Sequence, residues 1–215
     1  MDLVNFKNIG YIIDDVGPDI MLAIGKEVDK IQLDFSKATP HNKLLVGNIR
    51  KEFALRDCTN IVMQKATELA LAYGQEYDCD DYVGLTHLPM PRNNFRLKFD
   101  LGALWVNFQS KGEFNPVHHH NGIYSFVIWY KIPFTIDQEH TVGPGENSPS
   151  NSCGLFEFQY TNILGKLCGH PIYADKTWEG KIILFPAQLN HTVYPFFSSD
   201  EYRISVSGNL FVIPA

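Results

Sequence analysis

Three consecutive histidines, His118, His119 and His120, stand directly before an aromatic and β-branched run that predicts a β-strand. Residues two positions apart on an extended chain project to the same face, so His118 and His120 can aim at one point while His119 points away. A further candidate, His191, opens another strand-like segment much later in the chain. Imidazoles that converge from separate strands are a common way to hold a transition-metal ion. We therefore predict a metal site at His118, His120 and His191.

A second pair of polar residues follows these histidines. Arg203 lies twelve residues after His191 on the last predicted strand, and Ser205 lies on the same face of that strand. A guanidinium can hold a carboxylate with two parallel charge-assisted hydrogen bonds, and a neighbouring hydroxyl can add another. Fe(II) in an oxygen-activating site needs imidazole and hard ligands with open positions beside them. The alternatives are an ordinary ion pair for Arg203 and a polar turn for the histidines.

The elements that must position these residues differ between the two halves of the chain. The first half predicts amphipathic helices at Asp19–Lys30 and about Thr59–Tyr73, each with one apolar stripe. After Tyr82, short β-rich segments separated by glycine and proline predict an antiparallel sandwich or barrel. The predicted strands are Phe95–Phe99, Leu104–Gln109, Ile123–Ile132, Gly154–Tyr160, Lys181–Phe185, Thr192–Phe197 and Arg203–Ile213.

The last predicted strand separates polar from apolar side chains. We expect its apolar face to be covered by the helix at 59–73, and its polar face to line the mouth of the barrel. Residues 1–95 are thus predicted to form a helical buttress in the same compact unit as a β-core over residues 96–215. The polar stretch 135–152 is predicted as a long loop that could close over the pocket. The polar row comprises Arg203, Ser205, Ser207 and Asn209.

Composition restricts the class of protein and its partners. The chain has 215 residues and a formal net charge of −6, which argues against nucleic acid as a partner because neutralising phosphates requires a basic face. No apolar run approaches the ~18 residues of a membrane span, and the N-terminus lacks the build of a signal peptide. The four cysteines lack C-x-x-C spacing and are expected to be free thiols. We predict a cytoplasmic protein, and the sequence does not predict its oligomeric state.

Several motifs in the second half of the chain occur together. Trp105 and Asn107 form W-x-N, and Asn115–His120 reads N-P-x-H-x-H. Gly180–Pro186 reads G-x-I-x-L-F-P, and Arg203–Asn209 reads R-I-S-x-S-x-N. With these motifs the chain resembles the 2-oxoglutarate- and Fe(II)-dependent oxygenases over roughly residues 104–210. It is most similar to a prolyl-hydroxylase-like branch common in marine bacteria and phages.

The resemblance implies a fold, an activity and a set of cofactors. The fold would be mainly β, a double-stranded β-helix of the jelly-roll or cupin-like type, with N-terminal helices (α+β). The activity would be that of a non-haem dioxygenase using Fe(II), 2-oxoglutarate and O2 to hydroxylate an unidentified amino acid, protein or small molecule. Arg203 and Ser205 would bind the far carboxylate of 2-oxoglutarate, and Asn107 would line the pocket.

One position departs from the pattern of the broader superfamily, which has Asp or Glu where this chain has His120. A three-histidine centre would carry one negative charge less, so His120 is either the third ligand or a residue behind the ligands. Two other functions stay open at this point. One is a cupin-type metalloenzyme with three histidines that does not use 2-oxoglutarate, and the other is a non-catalytic jelly-roll module.

Overall fold

The computed structural model describes residues 9–77 and 97–214. Three α-helices lie in these ranges: α1 (Pro18–Leu33), α2 (Thr59–Glu76) and α3 (Ile136–His140). Ten strands accompany them: β1 (Ile12–Asp15), β2 (Glu52–Ala54), β3 (Leu97–Gln109), β4 (Asn115–His118), β5 (Tyr124–Lys131), β6 (Phe156–Thr161), β7 (Leu167–Ile172), β8 (Lys181–Pro186), β9 (Asn190–Val193) and β10 (Arg203–Pro214).

The strands form two antiparallel sheets around a cavity. The larger sheet has the order β1-β8-β5-β10-β3-β2, and the smaller has the order β4-β9-β6-β7. Neighbours in each sheet come from distant parts of the sequence, as β3 and β10 do. Two such sheets, with helices on the outer face of the larger one, confirm the predicted jelly-roll class.

Helices α1 and α2 bury the faces that carry their predicted apolar stripes. Buried residues of α1 and α2 share one core with the apolar face of β10, which includes Ile204, Val206 and Leu210. Both helices begin within one residue of their predicted starts and run about three residues past their predicted ends. None of the described helices is long and apolar enough to cross a bilayer.

Strand β3 joins two segments that the sequence predicts as separate strands. Gly102 lies between them and favours a break, but the ring of Phe211 on β10 occupies the space that a side chain at Gly102 would need. The glycine therefore allows a close cross-strand contact and does not interrupt the strand. Residues 95 and 96 of the first predicted strand, and the predicted boundary at 95/96, lie outside the described residues.

The sequence does not predict four of the short strands. β1 and β2 come from the part predicted as a helical buttress, and they form the two outer strands of the larger sheet. β4 and β7 belong to the smaller sheet. Segments of three to six residues carry too few alternating positions to reveal their period, and their pairing partners are far away in the sequence.

The segment 135–152 is partly ordered by a helix and a buried acid. Thr135 and Gln138 form a capping box at the start of α3. The fully buried carboxylate of Glu139 accepts hydrogen bonds of 2.8 Å from the backbone N–H groups of Phe197 and Ser198. The segment is thus attached to the turn before β10.

We expect Leu69→Ala in α2 to lower the free energy of unfolding by about 2–4 kcal/mol, because it leaves a cavity in the core beneath the larger sheet. Leu69 is 3% exposed, whereas Leu71 on the same helix is 53% exposed. Leu71→Ala is therefore the matched control, with an expected change within about 0.5 kcal/mol. Urea denaturation of both variants measures the difference, and equal losses would contradict the buttress role of α2.

Candidate metal centre and anion pocket

Three histidines that line the cavity lie close together. His118 on β4 and His191 on β9 are cross-strand partners, and His120 follows β4 with its backbone N–H 2.8 Å from the carbonyl oxygen of Ala187. One ligand nitrogen of each imidazole lies within 4.8 Å of those of the other two. The ring centroids of His118 and His191 are 4.2 Å apart. The structure therefore brings together all three residues that the sequence predicts as ligands.

Backbone carbonyls fix the orientation of two of these rings. Nδ1 of His118 lies 2.7 Å from the carbonyl oxygen of Pro116, and Nδ1 of His191 lies 2.9 Å from that of Leu189. Because a carbonyl oxygen only accepts, each Nδ1 carries the hydrogen and each Nε2 keeps its lone pair. The His191 ring also stacks on Phe156 at 5.5 Å with an interplanar angle of 15°.

All three imidazoles are held in the neutral form. Burial lowers the pKa of His118 and of His191, and burial together with the neighbouring His118 lowers the pKa of His120 to about 4. Neutral imidazole is the form that coordinates a metal ion, so no proton has to leave on binding. Three converging neutral nitrogen donors fit a divalent transition metal such as Fe(II).

Arg203 lies buried on β10, where three of its N–H groups are used within the protein. Nε donates to Oε1 of Gln109 at 2.8 Å, Nη1 to the carbonyl oxygen of Gly154 at 2.6 Å, and Nη2 to that of Tyr194 at 2.8 Å. A guanidinium has five N–H donors in a rigid fork, so these bonds fix its orientation and leave two donors over. The side chain lines the same cavity as the histidines.

The charge of Arg203 has no acidic partner in ion-pair contact within the described ranges. Burial lowers its pKa to about 9, partly opposed by the negative charge of Glu139, so the group is still charged at neutral pH. The rings of Phe134 and Phe196 each lie 5.6 Å from the guanidinium carbon. A buried cation that has spare donors and is in direct contact with no acid of the described residues is suited to bind an anion.

Asn107 and Ser205 lie beside Arg203 on the cavity wall. They are cross-strand partners on β3 and β10, and Nδ2 of Asn107 donates to Oγ of Ser205 at 3.1 Å. The hydroxyl hydrogen of Ser205 is then free for a ligand. Ser207 and Asn209 line the cavity as well, so the polar row of β10 faces inward as predicted.

Part of the cavity lining is not predicted from the sequence. Leu45, Val46, Gly47 and Ile49 cover one side of the cavity, and Glu52 contributes a buried carboxylate. These residues belong to the region predicted as a helical buttress, and a single acid in a three-residue strand gives no sequence signal. None of the residues 135–152, predicted as a closing loop, lines the cavity.

The carboxyl group of Glu52 gives a prediction of pH dependence. Burial raises its pKa from an ordinary 4.5 to about 7, and the negative charge of Glu113 adds to the rise. A carboxyl group whose pKa is higher in the folded state than in the unfolded state stabilises the fold at pH values below its unfolded pKa. For Glu52 this contribution is lost as the pH rises through the folded-state pKa of about 7.

We therefore compare the free energy of unfolding of Glu52→Gln with that of the parent protein at pH 4.5 and at pH 8. The difference is expected to shift by about 2–3 kcal/mol in favour of Glu52→Gln at the higher pH. Urea denaturation of both metal-free proteins at the two pH values measures this gain. The comparison cancels the titration of groups that both proteins share. A stability difference that does not change with pH would contradict the raised pKa.

The cavity of this double-stranded β-helix is lined by three converging histidines and by a buried arginine that forms no ion pair with an acid of the described residues, an arrangement suited to a metal ion and an anion. The family model described as "Putative 2OG-Fe(II) oxygenase" matches residues 103–209, which include all six site residues predicted from the sequence. The chain belongs to the 2-oxoglutarate- and Fe(II)-dependent oxygenases, whose cofactors are Fe(II), 2-oxoglutarate and O2. The predicted family is thereby confirmed.

Solved structures show the same fold at low sequence identity. A prolyl-4-hydroxylase from Pseudomonas putida is 14% identical, with a TM-score of 0.57 over 93% of this chain and 91% of that one. A viral collagen prolyl hydroxylase from Paramecium Bursaria Chlorella virus-1, solved with 2-oxoglutarate, is 13% identical, with a TM-score of 0.51 over 93% and 94%.

A third structure is a prolyl hydroxylase from Trichoplax adhaerens in complex with a hypoxia inducible factor peptide. It is 14% identical, with a TM-score of 0.50 over 95% of this chain and 84% of that one. No functionally curated protein sequence matches the chain. The chain thus shares its fold with these three prolyl hydroxylases, and the substrate has to be argued from the site.

Proposed function

We propose that this oxygenase is a hydroxylase of a small-molecule or peptide substrate, with His118, His120 and His191 as the ligands of Fe(II). In this proposal Arg203 and Ser205 bind the far carboxylate of 2-oxoglutarate, and Asn107 supports Ser205. The observation that carries the proposal is the buried guanidinium of Arg203, which forms no ion pair with an acid of the described residues and lines the same cavity as the three imidazoles.

The orientation of Arg203 supports binding of a carboxylate in particular. Its bonds to Gln109, Gly154 and Tyr194 are made before any ligand arrives, so little side-chain freedom is lost on binding. The two remaining N–H donors and the hydroxyl of Ser205 can each donate to one anionic group. A dicarboxylate would compensate the charge of the guanidinium at one end and that of the metal at the other.

The three histidines contribute uncharged nitrogen donors in a fixed orientation. Carbonyl contacts at Nδ1 direct Nε2 of His118 and His191 toward a common point, and the side chain of His120 completes the set. When bound, Fe(II) with 2-oxoglutarate and O2 supplies the oxidant that places a hydroxyl group on a substrate carbon. The aromatic walls at Trp129, Phe156 and Phe185 exclude water from this end of the cavity.

Titration of the anaerobic Fe(II)-loaded protein with 2-oxoglutarate tests the proposal. We expect a visible metal-to-ligand charge-transfer band with one equivalent of Fe(II) per chain, and formation of succinate once O2 is admitted. A protein that binds Fe(II) but gives no band and no succinate would contradict it, and would favour a three-histidine metalloenzyme that does not use 2-oxoglutarate.

Two properties of the whole chain support the choice of substrate and compartment. The net charge of −6 favours a small molecule or peptide over nucleic acid. Cys58 and Cys153 are buried free thiols, the state that the cytoplasm maintains, so we place the enzyme there.

A further inference from the structure

Glu52 lies on the cavity face of the larger sheet, at the end of a row of polar side chains. It is the cross-strand partner of Asn107, which in turn is the cross-strand partner of Ser205. Directly opposed residues of antiparallel strands project to the same side of a sheet. Glu52 therefore points to the side on which Asn107 and Ser205 line the cavity, and it is only 1% exposed.

The Glu52 carboxylate is incompletely paired within the described ranges. Oε2 accepts a hydrogen bond of 3.1 Å from Nδ2 of Asn42, whereas Oε1 is buried and has no hydrogen-bond partner. No basic side chain of the described residues forms an ion pair with it, and the charged group that acts on its pKa is Glu113, which has the same sign. A buried carboxylate oxygen left in this state costs free energy until a donor reaches it.

Two amide oxygens share this situation. Oδ1 of Asn107 and Oδ1 of Asn115 are also buried without a partner on the cavity wall. A side chain at Gly47 would collide with Oδ1 of Asn115 and would lie 3.1 Å from Oε1 of Glu52, so both oxygens approach the same point. Amide groups can be turned to present nitrogen, but a carboxylate presents acceptors in either orientation.

We propose that Glu52 forms a subsite for a positively charged nitrogen group of the prime substrate, an ammonium or a guanidinium. This inference rests on the proposed function, in which Arg203 is occupied by the cosubstrate. A cationic N–H donor would satisfy Oε1 and compensate the charge of Glu52 with charge-assisted hydrogen bonds. The apolar side chains of Leu45, Val46 and Ile49 lie on the same side of the cavity and can cover a methylene stem.

Pairs of probes that differ in the charge of the side-chain nitrogen test the subsite. The Mn(II)- and 2-oxoglutarate-loaded protein is titrated calorimetrically at pH 8, above the pKa of about 7 of Glu52, with L-arginine against L-citrulline and with L-lysine against Nε-acetyl-lysine. The same residues in short capped peptides form a second arm, which distinguishes a free amino acid from a peptide as the source of the cation. We expect the cationic member of at least one pair to bind at least about 30-fold more tightly.

Variants at Glu52 assign this preference to its carboxylate. Glu52→Gln keeps the shape of the side chain and is expected to abolish the preference, whereas Glu52→Asp keeps the charge and is expected to retain part of it. Glu201→Gln is the control, since it removes an acid whose side chain is 65% exposed and is expected to change nothing. Circular dichroism and Mn(II) stoichiometry show that each variant is folded.

The outcomes separate the subsite from the proposed function. A missing 2-oxoglutarate band in the parent protein overturns the function, whereas probe binding needs no turnover and tests Glu52 by itself. Equal binding of the members of every pair, or no binding of any cationic probe, overturns the subsite. A preference that survives Glu52→Gln overturns the assignment to this residue.

Discussion

Replacing His191 by alanine is expected to reduce bound Fe(II) from about one ion per chain to almost none, because in the proposed site this ring is the ligand that β9 contributes to the three-nitrogen set. Loss of residues behind the ligands already weakens metal sites about 10- to 100-fold, so loss of a ligand should exceed that range. Succinate formation should fall to background at the same time. Metal analysis after gel filtration, together with Fe(II) titration, measures the effect.

The chain provides a matched control for this experiment. His119 stands between two of the candidate ligands and is exposed, so His119→Ala should keep its full metal content. Metal loss in His119→Ala equal to that in His191→Ala would show that the measurement reports misfolding and would contradict the assigned set.

The role of His120 can be separated from the other two. His120→Asp introduces the carboxylate that the broader superfamily carries at this position and adds a negative charge to the donor set. We expect tighter Fe(II) binding than in the parent protein if His120 is a ligand, since an anionic oxygen donor attracts the cation more strongly than a neutral nitrogen donor. Unchanged affinity would place His120 outside the ligand set.

Replacing Arg203 by lysine is expected to raise the KM for 2-oxoglutarate about 30- to 1,000-fold, which corresponds to about 2–4 kcal/mol for a buried charge pair that loses its geometry. Lysine keeps the charge but cannot make the bonds to Gln109, Gly154 and Tyr194 and still present two parallel donors. The value of kcat at saturating 2-oxoglutarate should change much less, because the far carboxylate is remote from the carbon atoms that react.

Stability must be followed in the same variant. Three hydrogen bonds of the guanidinium are lost, so we expect the melting temperature of Arg203→Lys to fall. Arg50→Lys is the control, because the Arg50 side chain is 93% exposed and should affect neither the KM nor the melting temperature. A KM within twofold of the parent value in folded Arg203→Lys would refute the assignment of this arginine to the cosubstrate.

The direction of side chains within single strands and helices could be predicted from the sequence. The period of two along β10 places Arg203, Ser205, Ser207 and Asn209 on the cavity face, and the stripes of α1 and α2 identify the helical faces that cover the opposite side. The spacing of His118 and His120 likewise follows from an extended backbone. Each of these predictions depends only on the direction of side chains within one element.

The register between strands that are far apart in the sequence could not be predicted, and it decides which site residues meet. The register of β4 against β9 decides that His191 lies opposite His118, and that of β2 against β3 decides that Glu52 lies beside Asn107. Residues 135–152, which composition alone predicted as a possible lid, do not line the cavity, whereas Leu45, Val46, Gly47 and Ile49 do.

The sequence by itself thus determined the family, the jelly-roll class and the inward polar row of β10. Only the tertiary structure decided which side chains meet across the cavity, how many donors of Arg203 are left for a ligand, and that Glu52 is buried among acceptors. The physical reason is that side-chain direction within a strand repeats every two residues. Strand register and burial depend instead on contacts between residues that are far apart in the chain.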